Sequence, residues 1–324
     1  MTRYFLRRLA ASLILLWLVV SLTFVLLQAA PGDPLANLME TGRGRLPPEH
    51  EARLKAIYGL DQPLHQQYLS WLSAAVRGDW GYSIARQRPV AQIVREALPT
   101  TLSLAFAAIL VEYLIAVPLG VWAARRAGSA GDHGLRLVTM VAWATPSFWL
   151  GLMALFTFSY WLPWFPGGHL SSPGASSWPL GAQLLDRLHH LILPALVLGG
   201  VAAGGTSRFV RNGLLEQLGQ DYIRTARAKG LPENRVVWRH GMRNTLIPLL
   251  QLLGLSLPTL LNGSLVTEIV FSLPGLGLVT VQALLARDLP VILATTALSG
   301  FLVIFANFAA DLLHAVLDPR VRRA

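Results

Sequence analysis

Residues 221–248 read DYIRTARAKGLPENRVVWRHGMRNTLIP, a basic, helix-prone segment between two long apolar runs, 188–210 and 244–267. Asp221 is placed to cap a short helix over 222–229, and Gly230 suits the left-handed turn that closes such a helix. Pro232 fits the first turn of a second short helix, where its missing N–H costs nothing. A compact basic helix pair of this kind cannot anchor in lipid and has few neighbours in its own chain. The residues alone leave two readings open. The pair lies on anionic headgroups, which attract basic segments, or it docks into the groove of a partner.

What surrounds the segment decides the fold class. The chain has 324 residues, 53% of them hydrophobic and 14% charged, with a mean hydropathy of +0.49. Soluble domains carry about 25% charged residues, so the composition points to lipid. A helix needs about 20 apolar residues to cross the hydrocarbon core. Six stretches qualify: 9–29, 98–124, 137–162, 188–210, 244–267 and 291–317. His189, His190 and several glycines dilute the fourth. Its Gly199-Gly200 and Gly204-Gly205 pairs suit close helix–helix approach. The first apolar run is longer than that of a signal peptide and is read as a retained helix. The expected fold is an all-α integral membrane protein with six transmembrane helices.

The formal net charge of +10 would suggest nucleic acid for a soluble protein. Its distribution suggests a membrane instead, and no nucleic-acid partner. With the N-terminus in the cytoplasm, the cytoplasmic segments hold 17 basic and 6 acidic residues, and the opposite side holds 10 of each. The whole excess then lies on one side, as the positive-inside rule requires. This predicts a multi-pass membrane protein with both termini cytoplasmic. Residues 30–97 become an extracytoplasmic segment with helical signals. Pro47-Pro48 can open one helix and Gly59 can close it. Asp61 can cap another, in which Leu64, Tyr68, Trp71 and Ala75 share one face. Residues 163–187, rich in Pro, Gly and Ser, read as an irregular outer loop. The organisation expected is 1–97, a first transmembrane helix plus a short amphipathic extracytoplasmic helical segment, and 98–324, a five-helix core carrying the cytoplasmic loop 208–243.

Few residues invite chemistry. Glu112 lies deep in the second span, where a charge costs roughly 2–3 kcal/mol or more. It is either a pathway group facing the bundle interior or a packed, hydrogen-bonded acid. His169, His189 and His190 fall on the outer side, but adjacent histidines on a helix diverge by about 100°, so no metal site is expected. The absence of cysteine removes thiolate ligands and disulfides. No paired carboxylates or Ser/His arrangement at span depth suggests catalysis, and no inverted repeat suggests an ion-coupled secondary transporter. No G-x-x-x-x-G-K-[ST] phosphate loop is present.

A resemblance adds to this reading. Arg224-Thr225-Ala226, three residues, then Gly230 resembles the "EAA…G" coupling loop of binding-protein-dependent ABC permeases, with Arg224 where the broad signature has Glu. The form Arg-Thr-Ala-Arg-Ala-Lys-Gly, with Arg239-His240 and Arg243-Asn244, is similar to the peptide-permease branch. Further matches follow in order along nearly the whole chain. They include Pro31-Gly32-Asp33-Pro34, Gly78-Asp79-Trp80-Gly81, Leu98-Pro99-Thr100-Thr101-Leu102, Pro118-Leu119-Gly120 and Pro146 with Phe148-Trp149. His190-Leu191-Ile192-Leu193-Pro194, Glu268 with Val270-Phe271, Pro274-Gly275-Leu276-Gly277, Arg287-Asp288 and Asp318-Pro319-Arg320 complete the series. Together they resemble the dipeptide/oligopeptide/nickel permease family.

The resemblance implies the type I ABC importer fold and the permease role within such an importer. A second permease subunit (a paralogue), two ATPase subunits and an extracytoplasmic solute-binding protein complete the machine. This chain then needs no cofactor, since ATP and Mg belong to the ATPases. Asp221, Arg224, Thr225, Ala226, Ala228, Lys229, Gly230, Arg239, His240 and Asn244 become candidates for coupling to an ATPase, with Ala226 expected on the docked face. Glu112, Glu268, Pro274, Gly275 and Gly277 become pathway or gate candidates. Short peptides are the solute expected, with nickel or a metal chelate as the alternative.

Overall fold

A computed structural model describes residues 2–29 and 61–317. Among these the secondary structure is helical, and the chain divides into two compact units, Met1–Thr100 with Pro274–Leu302 and Thr101–Leu273 with Val303–Ala324. The Pro-Gly-Asp-Pro motif, the helix expected between Pro47 and Gly59, and the basic C-terminal end lie outside the described residues.

In the first unit, α1 (Thr2–Ala29) is joined to α2 (Leu64–Val76) by polar contacts. The Ser21 and Tyr68 hydroxyls lie 2.6 Å apart, Gln28 donates to Gln67 at 3.0 Å, and Phe24 meets Tyr68 edge-on. The expected face of α2 is half realised: Tyr68, Trp71 and Ala75 are half-buried, whereas Leu64 is exposed. Asp61 does not cap this helix. Pro63 stands at the cap without a side-chain bond, and its carbonyl accepts from Gln66 and Gln67 instead.

The start of α3 (Val90–Arg125) packs through Val90, Ile93 and Ala97 on α9 (Leu276–Leu285) and α10 (Leu289–Leu317). At ten residues α9 is too short to cross a membrane. Its C-terminal turn is fixed by Asp288, whose buried carboxylate accepts from the Ser83 hydroxyl, the Ile84 N–H at 3.1 Å and the Ala85 N–H at 3.2 Å.

The second unit holds the remainder of α3 and four further long elements. One of its spans is broken. The helix α4 (Ala130–Ala144) and the helix α5 (Ser147–Leu155), extended by a π-helical turn to Trp161, meet at 100°. Pro146 supplies no N–H and pushes the preceding residue out of the helical region, and Thr145 is indeed extended, at φ −84° and ψ 132°. The helix α6 (Leu180–Leu218) is continuous over 39 residues, about 58 Å at 1.5 Å per residue. It therefore outreaches the ~30 Å hydrocarbon core. The helix α7 (Asp221–Ala228) and α8 (Met242–Val270) follow. Four helices, 7–29, 90–125, 180–218 and 289–310, are long and apolar enough to cross a membrane, and the number among the described residues rises to six when each of two bent pairs is counted as one span.

Small residues set how closely the spans approach. A Cβ at Gly120 would stand 2.7 Å from the Ser207 carbonyl oxygen, and one at Gly199 would collide with the Ala108 carbonyl. Gly204 faces Thr139, whereas Gly200 and Gly205 face open space. Each glycine pair thus gives one residue to α6's packing face.

Candidate coupling loop and gate

The loop between α6 and α8 folds around a core of its own. Ile223, Ala226 and Val236 are buried together, with Leu218 and Leu231 packed against them. The closing turn of α7 explains how eight residues of helix hold this shape. Lys229 ends the helix and Gly230 takes φ +73°. The Gly230 N–H donates to the Arg227 carbonyl at 2.9 Å and the Leu231 N–H to the Ala226 carbonyl at 3.4 Å. This pairing, with Leu231 folded onto Ala226, is a Schellman close, which needs a left-handed residue where Gly230 stands.

Three sequence expectations change here. Asp221 is the first residue of α7 rather than its cap; Gln220 holds the cap position, with no side-chain bond. Asp221 instead pairs with Arg224 at 3.1 Å, where an acidic group also suits the positive end of the helix. Pro232 precedes the next helical turn, and that turn is no separate helix. Glu233–Arg235 runs through a π-helical turn, 236–241, straight into α8. Ala226 does not face outward: it is 5% exposed and points into the loop core, because Ile223 and Ala226 share the inner face of a short helix.

The outward face carries Asp221, Arg224, Thr225, Ala228, Lys229 and Gly230, all exposed. Arg239 and Asn244 are exposed and His240 is half-buried. Side chains fasten the loop to three helices. Tyr222 donates to Gln217 of α6 at 2.8 Å and accepts from Asn244 of α8 at 3.0 Å. Arg125, at the end of α3, donates to Asn234 at 2.9 Å. Arg227 bridges the closing turn to Glu233 through two bonds, 3.1 and 2.7 Å, and this partner pushes the Arg227 guanidinium up from its ordinary value. These exposed pairs each contribute about 0–1 kcal/mol, so the buried trio carries the fold of the loop. Tyr222 was not among the residues singled out from the sequence. A lone tyrosine after an acidic residue gives no signal of a bridge between elements.

The gate candidates are divided between the two units. Glu268, near the end of α8, is fully buried and accepts from the Thr101 hydroxyl at 2.7 Å. Pro274, Gly275 and Gly277 belong to the other unit, where Gly275 caps α9 in an extended conformation. Glu112 is 1% exposed. Its Oε1 accepts from Thr206 of α6 at 2.5 Å and from Ser256 of α8 at 3.2 Å, and its Oε2 is buried with no hydrogen-bond partner among the described residues. One carboxyl thus ties three helices together.

Glu112→Gln keeps an acceptor for both hydroxyls, and near wild-type abundance and uptake are expected. Glu112→Leu strands two donors, at a cost of about 1–3 kcal/mol each, and lower membrane abundance is expected. Uptake lost in Glu112→Gln at normal abundance would instead place the carboxyl in the pathway.

The histidines have ordinary partners. His189 pairs with the Trp164 carbonyl at 2.9 Å, and His190 with the Asp186 carbonyl at 2.8 Å.

A helical chain with several membrane-crossing elements, glycine-mediated contacts between them and a self-contained basic insert before its penultimate span has the build of a transporter membrane subunit. Residues 116–323 match the family described as binding-protein-dependent transport system inner membrane component, and residues 1–105 match the N-terminal component of the same systems. The chain belongs to this family of permease subunits. It is 40% identical to the oligopeptide transport system permease protein AppB of Bacillus subtilis over 322 residues, covering 99% of both chains. It is 38% identical to the di/tripeptide transport system permease protein DppB of Pseudomonas aeruginosa, again over 99% of each. Among solved structures, a chain of the MetNI methionine ABC transporter in an inward-facing conformation matches with a TM-score of 0.56. That match has 19% identity and covers 70% of this chain and 97% of the other. The fold is that of a type I importer permease.

Proposed function

We propose that this chain is the permease subunit of an ATP-driven importer of short peptides, working with a second permease, two ATPases and an extracytoplasmic binding protein. The observation that carries this reading is full-length similarity to permeases named for oligopeptides and di/tripeptides. The same observation favours peptides over a nickel chelate. Competition of unlabelled peptide, but not of nickel salt, with uptake of a labelled tripeptide tests the solute.

In this reading the outward face of α7, with Asp221, Arg224, Thr225, Ala228, Lys229 and Gly230, docks in a groove on an ATPase. Ala226 supports that face from behind, and Arg239, His240 and Asn244 flank it. ATP and Mg stay with the ATPase, and movement returns through the loop's attachments to α3, α6 and α8. Glu268 serves as a gate residue in one unit and Pro274, Gly275 and Gly277 in the other, and Glu112 acts as a clasp among the spans. The charge distribution supports cytoplasmic termini. A cysteine placed at exposed Ser70 is then expected to react with an impermeant thiol reagent in intact cells, and one at exposed Glu216 is not. Reversed labelling sinks the orientation.

A further inference from the structure

Asp132 stands in the first turn of α4 and is wholly buried. Its Oδ1 accepts from Arg211 Nε at 2.6 Å and its Oδ2 from Arg211 Nη2 at 2.6 Å. Oδ2 also accepts the Gly128 N–H at 2.9 Å, and Arg136 Nε lies 3.8 Å from Oδ1. The Arg211 side chain is 15% exposed. Two parallel charge-assisted bonds between planar groups fix angle as well as distance, which a single contact or a lysine cannot do.

The location gives this rigidity a use. Arg211 lies about 10 Å along α6 from its end at Leu218, and α7 begins at Asp221. Asp132 opens α4, whose Thr139 packs on Gly204 of α6. Across the 100° break, a Cβ on Gly151 of α5 would meet Val270 Cγ1 at 3.1 Å, two residues beyond Glu268. The broken span therefore touches α6 beside the loop and α8 beside the buried Glu268–Thr101 pair.

We propose that Asp132 and Arg211 are a positioning pair for transport, a strut that hands movement of the α6–α7 end to the broken span. The proposal rests on docking of an ATPase at α7. A buried ion pair is a weak source of net stability compared with apolar packing. What it supplies is a fixed orientation between two helices, and that is what transmission requires. Neutralising both partners removes the strut without stranding a buried charge.

The test uses the complete transporter in proteoliposomes, with labelled tri-alanine as the probe. It reads ATPase capture, ATP turnover and peptide moved per ATP. In Asp132→Asn with Arg211→Gln, capture is expected to stay at the wild-type level while peptide per ATP falls by about tenfold or more, the scale of lost charge-assisted bonds. Arg211→Lys keeps the charge but not the fork. It serves where the double variant fails to accumulate, with a fall of about threefold or more expected. An unchanged ratio in whichever variant assembles overturns the strut. Arg224→Glu with Lys229→Glu, on the outward face, separates the two ideas. Lost capture there together with an unchanged ratio in the strut variant overturns the strut alone. Retained capture overturns the docking reading and this proposal with it.

Discussion

Gly230→Val is expected to leave the protein in the membrane at near-normal abundance and to lower uptake by about tenfold, the factor that roughly 1.4 kcal/mol sets. Gly230 sits at φ +73°, and a Cβ there would meet nothing within 4 Å among the described residues. The damage is therefore backbone strain and not a clash. A left-handed residue with a side chain costs about 1–2 kcal/mol, and β-branching makes it worse. The strained residue escapes by leaving the left-handed region. Leu231 then loses its bond to the Ala226 carbonyl and its place against Ile223, Ala226 and Val236. The spans are held by lipid and by one another, so the injury stays in the loop. Pull-down of the ATPases, their ATP turnover and peptide uptake, each normalised to abundance, check this outcome. Gly230→Ala is expected to fall between, since alanine lacks the second branch.

Ala226→Arg is expected to have the larger effect, with uptake reduced to background. The sequence alone makes this a clash on a docked surface, but the buried position gives another mechanism. The substitution would drive a charged guanidinium into the small core under α7. Overpacking costs about 1–3 kcal/mol, and an unpaired buried charge adds several more. A core of three buried residues cannot absorb that, so α7 detaches from Val236 and unfolds. Proteolysis separates the mechanisms: new cleavage between 219 and 235 is expected in Ala226→Arg and not in Lys229→Glu, which changes only the outward face. Wild-type protease resistance in Ala226→Arg at full abundance would contradict the buried placement.

Much of the fold was legible because bilayer thickness and apolar length are linked so tightly. Five of the six apolar runs each lie within one helix, the third is split between two, and Gly230 announced its left-handed turn through residue type alone. The break at Thr145-Pro146 was visible as a proline and still not read as a bend, since a proline in a span kinks it by an amount that its neighbours set. The short helix α9 was missed because ten apolar residues beside a glycine-rich motif carry no length signal. Capping by Asp221 and Asp61 failed in opposite directions. Asp221 falls one residue inside α7, where an acid suits the helix dipole as well as at the cap, and Asp61 falls two residues before Pro63, which holds the cap position of α2. The Asp132–Arg211 pair, 79 residues apart, gave no local pattern at all. Long-range polar pairs depend on which helices become neighbours, and periodicity does not report that.

In the proposed importer this chain moves solute only when separate ATPases drive it through the loop at 219–244. The most direct measurement is tripeptide uptake into proteoliposomes holding the permease pair, with binding protein added outside, and with ATPases and ATP supplied or withheld on the opposite face. Uptake is expected only when both ATPases and ATP are present, and is expected to vanish with a non-hydrolysable nucleotide. Peptide accumulation driven by a proton or sodium gradient, with no ATPase subunit present, would contradict the account.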